Sequence, residues 1–159
     1  MKILGIDPGY DKLGLAIVER EQNKKENLVY SACIKTSRGA PFNERLMQIA
    51  EIVEAMISAH SPTALAIEKL FFTSNQKTAM QVSEVRGLII YLAAKNNLQI
   101  FEYTPSQVKS TVAGSGNASK DQIINMVPRL IKISKEIKED DEYDAVALAL
   151  TCLASEKLF

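Results

Sequence analysis

The chain has 159 residues, 47% hydrophobic and 24% charged, which is enough for one compact domain with its own core. No stretch approaches the roughly eighteen consecutive apolar residues of a membrane span, and the opening Met1–Asp7 segment is too short and too strand-like for a signal peptide. Nineteen basic residues balance nineteen acidic ones; zero net charge weighs mildly against a nucleic-acid partner without excluding it, because local patches decide phosphate binding.

Residues 2–7 and 13–19 are apolar runs rich in Ile, Leu and Val, and Pro8-Gly9-Tyr10-Asp11-Lys12 between them reads as a hairpin turn. The polar run 20–26 leads into a third strand, Asn27 to Thr36, so three consecutive antiparallel strands are expected. From Asn43 to His60 the apolar period changes to three and four, which predicts an amphipathic helix stopped by Pro62. A fourth strand follows, Ala64 to Glu68, then a helix over about Gln76 to Asn96. Gly87 inside that helix costs about 1 kcal/mol against alanine unless close packing requires it. Leu98 to Tyr103 is a fifth strand, and Pro105 suits the first turn of a short helix ending at Ala113. After the loop 114–118, Ser119 with Gln122 forms a capping box that opens another helix, which Pro128 is expected to kink. A charged link, 135–140, precedes a final helix over Asp141 to Glu156, with Ala145, Leu148, Ala149 and Cys152 on one face. The order implies an α/β domain spanning 1–159, a five-stranded mixed sheet with helices on both faces.

Asp7 and Glu68 each end an apolar strand, and Asp141 and Asp144 head the last helix. Side chains alternate along a strand, so Ile3, Gly5 and Asp7 share one face, as do Ala64, Ala66 and Glu68. Two such strands side by side, with the helix docked over their ends, would gather four carboxylates. Like charges that close cannot all stay ionised without a cation, and Mg²⁺ or Mn²⁺ prefers such oxygen donors. Metal-assisted chemistry on a phosphate is the leading reading. Each acid alone has an ordinary reading too: a turn for Asp7-Pro8-Gly9, a surface acid for Glu68, helix-dipole acids for 140–144. Cys33 and Cys152 belong to no CxxC pair or Cys/His cluster and read as buried small hydrophobes of a reduced cytoplasmic protein. His60 has no partner motif and is expected at the surface.

Gly5-Ile6-Asp7-Pro8-Gly9 with Gly14 resembles the opening motif of the RuvC-type Holliday junction resolvases. The resemblance continues through Ala66-Ile67-Glu68-Lys69-Leu70-Phe71, Arg86-Gly87, the basic segments 101–109 and 114–120, and Asp141-Glu142-Tyr143-Asp144-Ala145. It implies an RNase H-like fold, a homodimer, and an endonuclease that nicks opposing strands of four-way junction DNA, leaving 5′-phosphate and 3′-hydroxyl ends. It implies that Asp7, Glu68, Asp141 and Asp144 bind Mg²⁺, two ions per subunit with Mn²⁺ able to substitute. These would generate the attacking hydroxide and stabilise the leaving oxygen. By the same resemblance Lys109 and Lys120 contact phosphates near the cut, Lys120 steadies charge on the scissile group, Phe71 stacks on an unpaired base and Arg86 belongs to the DNA-binding set. A RuvAB branch-migration complex is the implied partner.

Ordinary readings stand beside these: solvated lysines, core phenylalanines, and a structural ion pair for Arg86. Tyr10 occupies a position where the family more often has a small hydroxyl residue, which would set a bulky ring beside the metal turn. Asp140 and Glu142 add charge next to the site. Three rival functions remain: a sugar-kinase or actin-like ATPase, for which 159 residues and the lack of a second phosphate loop are unfavourable; a non-catalytic junction binder, which would lose acids; and an RNase H-like nuclease with another nucleic-acid target.

Overall fold

The computed structural model describes residues 1–21, 25–70 and 76–156. Its strands fall on the apolar runs and its helices on the segments with three-and-four apolar spacing. They are β1 (Lys2–Asp7), β2 (Lys12–Glu19), β3 (Asn27–Lys35), α1 (Phe42–His60), β4 (Ala64–Glu68), α2 (Gln76–Lys95), β5 (Gln99–Tyr103), α3 (Pro105–Ala113), α4 (Lys120–Leu130) and α5 (Asp140–Ser155). The sheet order is β3-β2-β1-β4-β5. The β1–β2 and β2–β3 pairs are antiparallel, and β4 and β5 add parallel strands beyond β1. This is the five-stranded mixed sheet expected for an RNase H-like fold.

Local chemistry sets the ends of the elements. Ser61 adopts a left-handed conformation and its N–H closes α1 on the Ile57 carbonyl before Pro62 bars continuation. Thr104 and Ser119 each accept from the backbone N–H three residues on, with Gln107 and Gln122 reaching back, so α3 and α4 both start in full capping boxes. Pro128 has no N–H to offer the Ile124 carbonyl one turn back. It lies inside α4, which ends only two residues later at Leu130. The gap it leaves in the hydrogen-bond ladder therefore falls in the last turn, where the Ile131 N–H still closes on the Val127 carbonyl.

The two faces of the sheet carry separate cores. Leu4, Ile6, Leu15, Ile17, Leu65 and Ile67 pack against Ile49, Val53 and Ile57 of α1 and Val85, Ile89 and Leu92 of α2. On the other face Ile3, Ala16, Val18, Ala64 and Ala66 meet α5, with Val108, Val112, Ile123 and Val127 of α3 and α4 in the same cluster. The final helix is therefore not one-sided: every residue from Ala145 to Leu153 is buried. It is a central helix, sheet on one side and α3 and α4 on the other, and a helix in that position is apolar all round. No helix among the described residues is long and apolar enough to cross a membrane.

Candidate active site

β1 and β4 run parallel in register, Ile3 opposite Ala64 and Ile6 opposite Ile67, so Asp7 and Glu68 end neighbouring strands side by side. Gly14 lies directly across from Asp7 on β2. The helix that brings the other two acids sits on glycine. A Cβ on Gly5 would fall 2.1 Å from the carbonyl oxygen of Ala145, and one on Gly14 would fall 2.0 Å from that of Asp141. No side chain fits there, and the backbone of α5 rests on the backbone of the sheet. That contact carries Asp141 and Asp144, in the first turns of α5, to the strand ends where Asp7 and Glu68 sit.

Charge repulsion registers the convergence. The Asp7 carboxyl is pushed from its ordinary 3.8 up to about 7, first by burial, then by Asp144, Glu68 and Asp141, with only Lys120 opposing. Burial and then Asp144 raise Glu68. Burial also raises Asp144, against the pull of Lys120. Lys120 Nζ lies 3.2 Å from Asp140 and 3.5 Å from Asp144, an ammonium facing the acidic cluster. Hard oxygen donors in mutual repulsion, half-buried and undercompensated, fit a divalent cation of the Mg²⁺ type. A cleft of about 240 Å³ opens beside Glu68 and Asp144, with Lys109 and Lys120 among its lining.

Asp141 has company that the sequence did not announce. Lys12 Nζ lies 3.9 Å from its carboxylate, and the Cys33 thiol donates to it across 3.7 Å. Glu139 sits alongside, held by Lys12 at 3.1 Å and Lys35 at 2.5 Å. One ligand atom each from Cys33, Glu139 and Asp141 lies within 4.8 Å of the others, a spacing that suits a metal ion. Two lysine ammoniums already neutralise that group, and burial with Asp141 nearby pushes the Cys33 thiol up to about 11, so it stays protonated. Cys152 is fully buried as expected, but Cys33 is only half-buried and touches the site. These partners come from β2, β3 and the link before α5; no local pattern joins them.

Other expected site residues fall in varied places. Glu142 does not add charge beside the acids: its side chain is buried, accepting from Ser31 Oγ at 2.7 Å and from Lys135 at 2.6 Å. Tyr10 does not crowd the metal turn. Its ring folds toward α1, edge-on to Phe42, with the Arg45 guanidinium 4.9 Å above its centre. Arg86 is engaged within the protein, donating to the Glu68 carbonyl at 3.0 Å and to Glu102 at 2.5 Å. Phe71 lies outside the described residues. His60 is half-buried beside Tyr30, ring centres 5.9 Å apart.

Comparison with known proteins agrees with this geometry. Residues 3–152 match the family model for crossover junction endodeoxyribonuclease RuvC. Proteins of that description from Alkaliphilus metalliredigens and Thermosipho melanesiensis are 45% and 40% identical, covering 94% and 100% of this chain and 91% and 100% of theirs. The solved structure of T. thermophilus RuvC in complex with Holliday junction substrate superposes with a TM-score of 0.89 at 31% identity, over 96% of this chain and 93% of that one. With the acids converging as described and the likeness running the length of the chain, this protein belongs to the crossover junction endodeoxyribonuclease RuvC family.

Proposed function

We propose that the 159 residues act as one nuclease domain that resolves four-way DNA junctions by paired, symmetric nicks in opposing strands, leaving 5′-phosphate and 3′-hydroxyl ends. The observation that carries this reading is the meeting of Asp7, Glu68 and α5, which raises the Asp7 carboxyl to about 7 through burial and its acidic neighbours. In the proposal Asp7, Glu68, Asp141 and Asp144 hold two Mg²⁺ per subunit, and Mn²⁺ can replace them. Ions so held supply activation of water and stabilisation of the leaving oxygen.

The chain's own groups do the rest. Asp7 must give up its proton to serve as a ligand, so metal loading and proton release go together. Lys120, tethered to Asp140 and Asp144 in the free protein, lines the cleft and turns to the scissile phosphate once the acids are engaged. Lys109, on the same cleft, positions the neighbouring backbone. Paired cuts need two sites related by a two-fold axis, so the working form is a homodimer. The exposed side of α2 is the proposed interface, and a RuvAB-type branch-migration complex is the proposed partner.

The decisive experiment is nicking of a fixed synthetic four-way junction with and without Mg²⁺. Asp7→Asn should lower the rate by roughly 10³-fold or more while junction binding persists. Cutting at the normal rate by that variant would end the metal-site reading. Equal cleavage of junction, linear duplex and RNA–DNA hybrid would instead favour a nuclease with another target.

A further inference from the structure

Arg86 reaches the active site from the far side of the sheet. It belongs to α2, which packs on the face opposite α5, yet its guanidinium arrives at the end of β4. Nε donates to the carbonyl oxygen of Glu68 at 3.0 Å. One terminal nitrogen donates to Glu102 of β5 at 2.5 Å. The Arg86 side chain is 16% exposed and that of Glu102 39%, so Glu102 screens the guanidinium from solvent without being buried itself.

The acceptor lies at the last rung of β4. Glu68 pairs with Tyr103 of β5, Lys69 N–H closes the ladder on the Tyr103 carbonyl at 2.8 Å, and the strand then stops. A strand end is where backbone is free to swing, and this one carries a ligand. A planar guanidinium fixed at two points holds the peptide of Glu68 in one orientation, and therefore fixes where its carboxylate projects. Arg45 performs a comparable task less directly. It donates to the Tyr10 carbonyl at 2.7 Å and to Thr36 at 2.9 Å, three residues beyond Asp7. Two of the five guanidinium N–H groups of Arg86 are spent this way, and they turn the group toward the Glu68 peptide and Glu102.

We propose that Arg86, braced by Glu102, is a positioning residue that aims Glu68 at the metal site rather than a DNA contact. The proposal rests on the metal-site reading above. Its test uses the full chain as Arg86→Met, Arg86→Lys and Glu102→Gln. Three quantities are measured: the Mn²⁺ concentration giving half of the metal-induced rise in Tm without DNA, the single-turnover nicking rate of pre-bound junction against Mg²⁺, and junction affinity without metal.

For Arg86→Met the half-effect concentration of Mn²⁺ should rise roughly tenfold or more. Nicking at limiting Mg²⁺ should fall by a similar factor and recover at high Mg²⁺, with junction affinity within about twofold of wild type. Arg86→Lys should regain part of the loss, and Glu102→Gln should shift the same way by less. A purely structural role would lower Tm and leave the Mn²⁺ half-effect where it was; that result overturns the proposal. So does weaker junction binding with normal nicking of what is bound, which would make Arg86 a DNA contact after all. Should Arg86→Met fail to fold, an unchanged Mn²⁺ half-effect in both other variants overturns it equally. If wild type itself shows no response to metal, the metal-site reading has failed; if wild type responds and the variants match it, only the role of Arg86 has.

Discussion

The two faces of one sheet are built to different specifications. Toward α1 and α2 the sheet presents Leu4, Ile6, Leu15, Ile17, Leu65 and Ile67, large side chains that bury area and keep the helices at a full side-chain distance. Toward α5 the same strands present Gly5, Gly14, Ala16, Ala64 and Ala66, and the helix comes down until backbone meets backbone. The first face supplies stability. The second gives up apolar area for proximity, because Asp141 and Asp144 can reach Asp7 only if their helix is that close. Conflicting demands on one strand are met by alternation alone: neighbouring residues of β1 serve opposite purposes.

The sharpest way to break this contrast is Gly14→Ala. The new methyl would collide with the Asp141 carbonyl, so α5 must lift and take its acids away from Asp7. Misplacement near an ångström is enough to lower the nicking rate by roughly 10²-fold, with junction binding kept. The counterpart on the other face is Leu15→Ala. Leu15 is fully buried, so the loss should be about 2–5 kcal/mol of stability, read by denaturant unfolding. The rate per folded molecule should stay unchanged. A Leu15→Ala variant that folds normally yet cuts slowly would show that the two faces are not independent.

The ionisable character of the site lies on the α5 face, and pH separates the faces again. An unfolded Asp7 ionises near its ordinary 3.8 and the folded one near 7. Between those values the folded state holds more protons, so metal-free protein loses stability as pH rises from about 4 to about 7 and levels off above. Added Mg²⁺ or Mn²⁺ should offset the loss. Scanning calorimetry in chelator should show a decline in Tm of roughly 10 °C over that window. Asp7→Asn should remove most of the slope, whereas Leu15→Ala should keep it at a lower Tm.

Much of this was legible in the sequence, and the reason is periodicity. The apolar runs rich in Ile, Leu and Val marked the strands, and alternation put Asp7 and Glu68 on one face, where the β1–β4 register brings them together. What stayed hidden depends on partners far apart in the chain. Glu142 looked like one more acid at the site, but Ser31 and Lys135 draw it into the interior. Cys33 looked like core, but β3 sets it beside Asp141. Tyr10 looked obstructive until α1 supplied Arg45 and Phe42 to receive its ring. The last helix read as one-sided because a pattern of mostly small apolar residues does not say how many layers will cover it.

Gly87 gives the gentlest test, and it asks where the α1/α2 face ends. Glycine there costs α2 about 1 kcal/mol against alanine, and packing among the described residues does not explain it, since none of them lies within 4 Å of a Cβ built at that position. The exposed Met80 and Tyr91, 65% and 62% accessible, fall on the same side of the helix, seven residues before and four after. A second copy crossing at the bare backbone would explain both the glycine and the exposed side chains. Gly87→Ala should then raise the stability of dilute, monomeric protein by about 1 kcal/mol, or about 2–4 °C in Tm. The same methyl would hold two crossing helices apart, so sedimentation should show a weaker dimer. An unchanged dimer would place the proposed two-fold axis elsewhere on the surface, and a wild-type chain that stays monomeric at micromolar concentration would remove the basis for symmetric paired cuts.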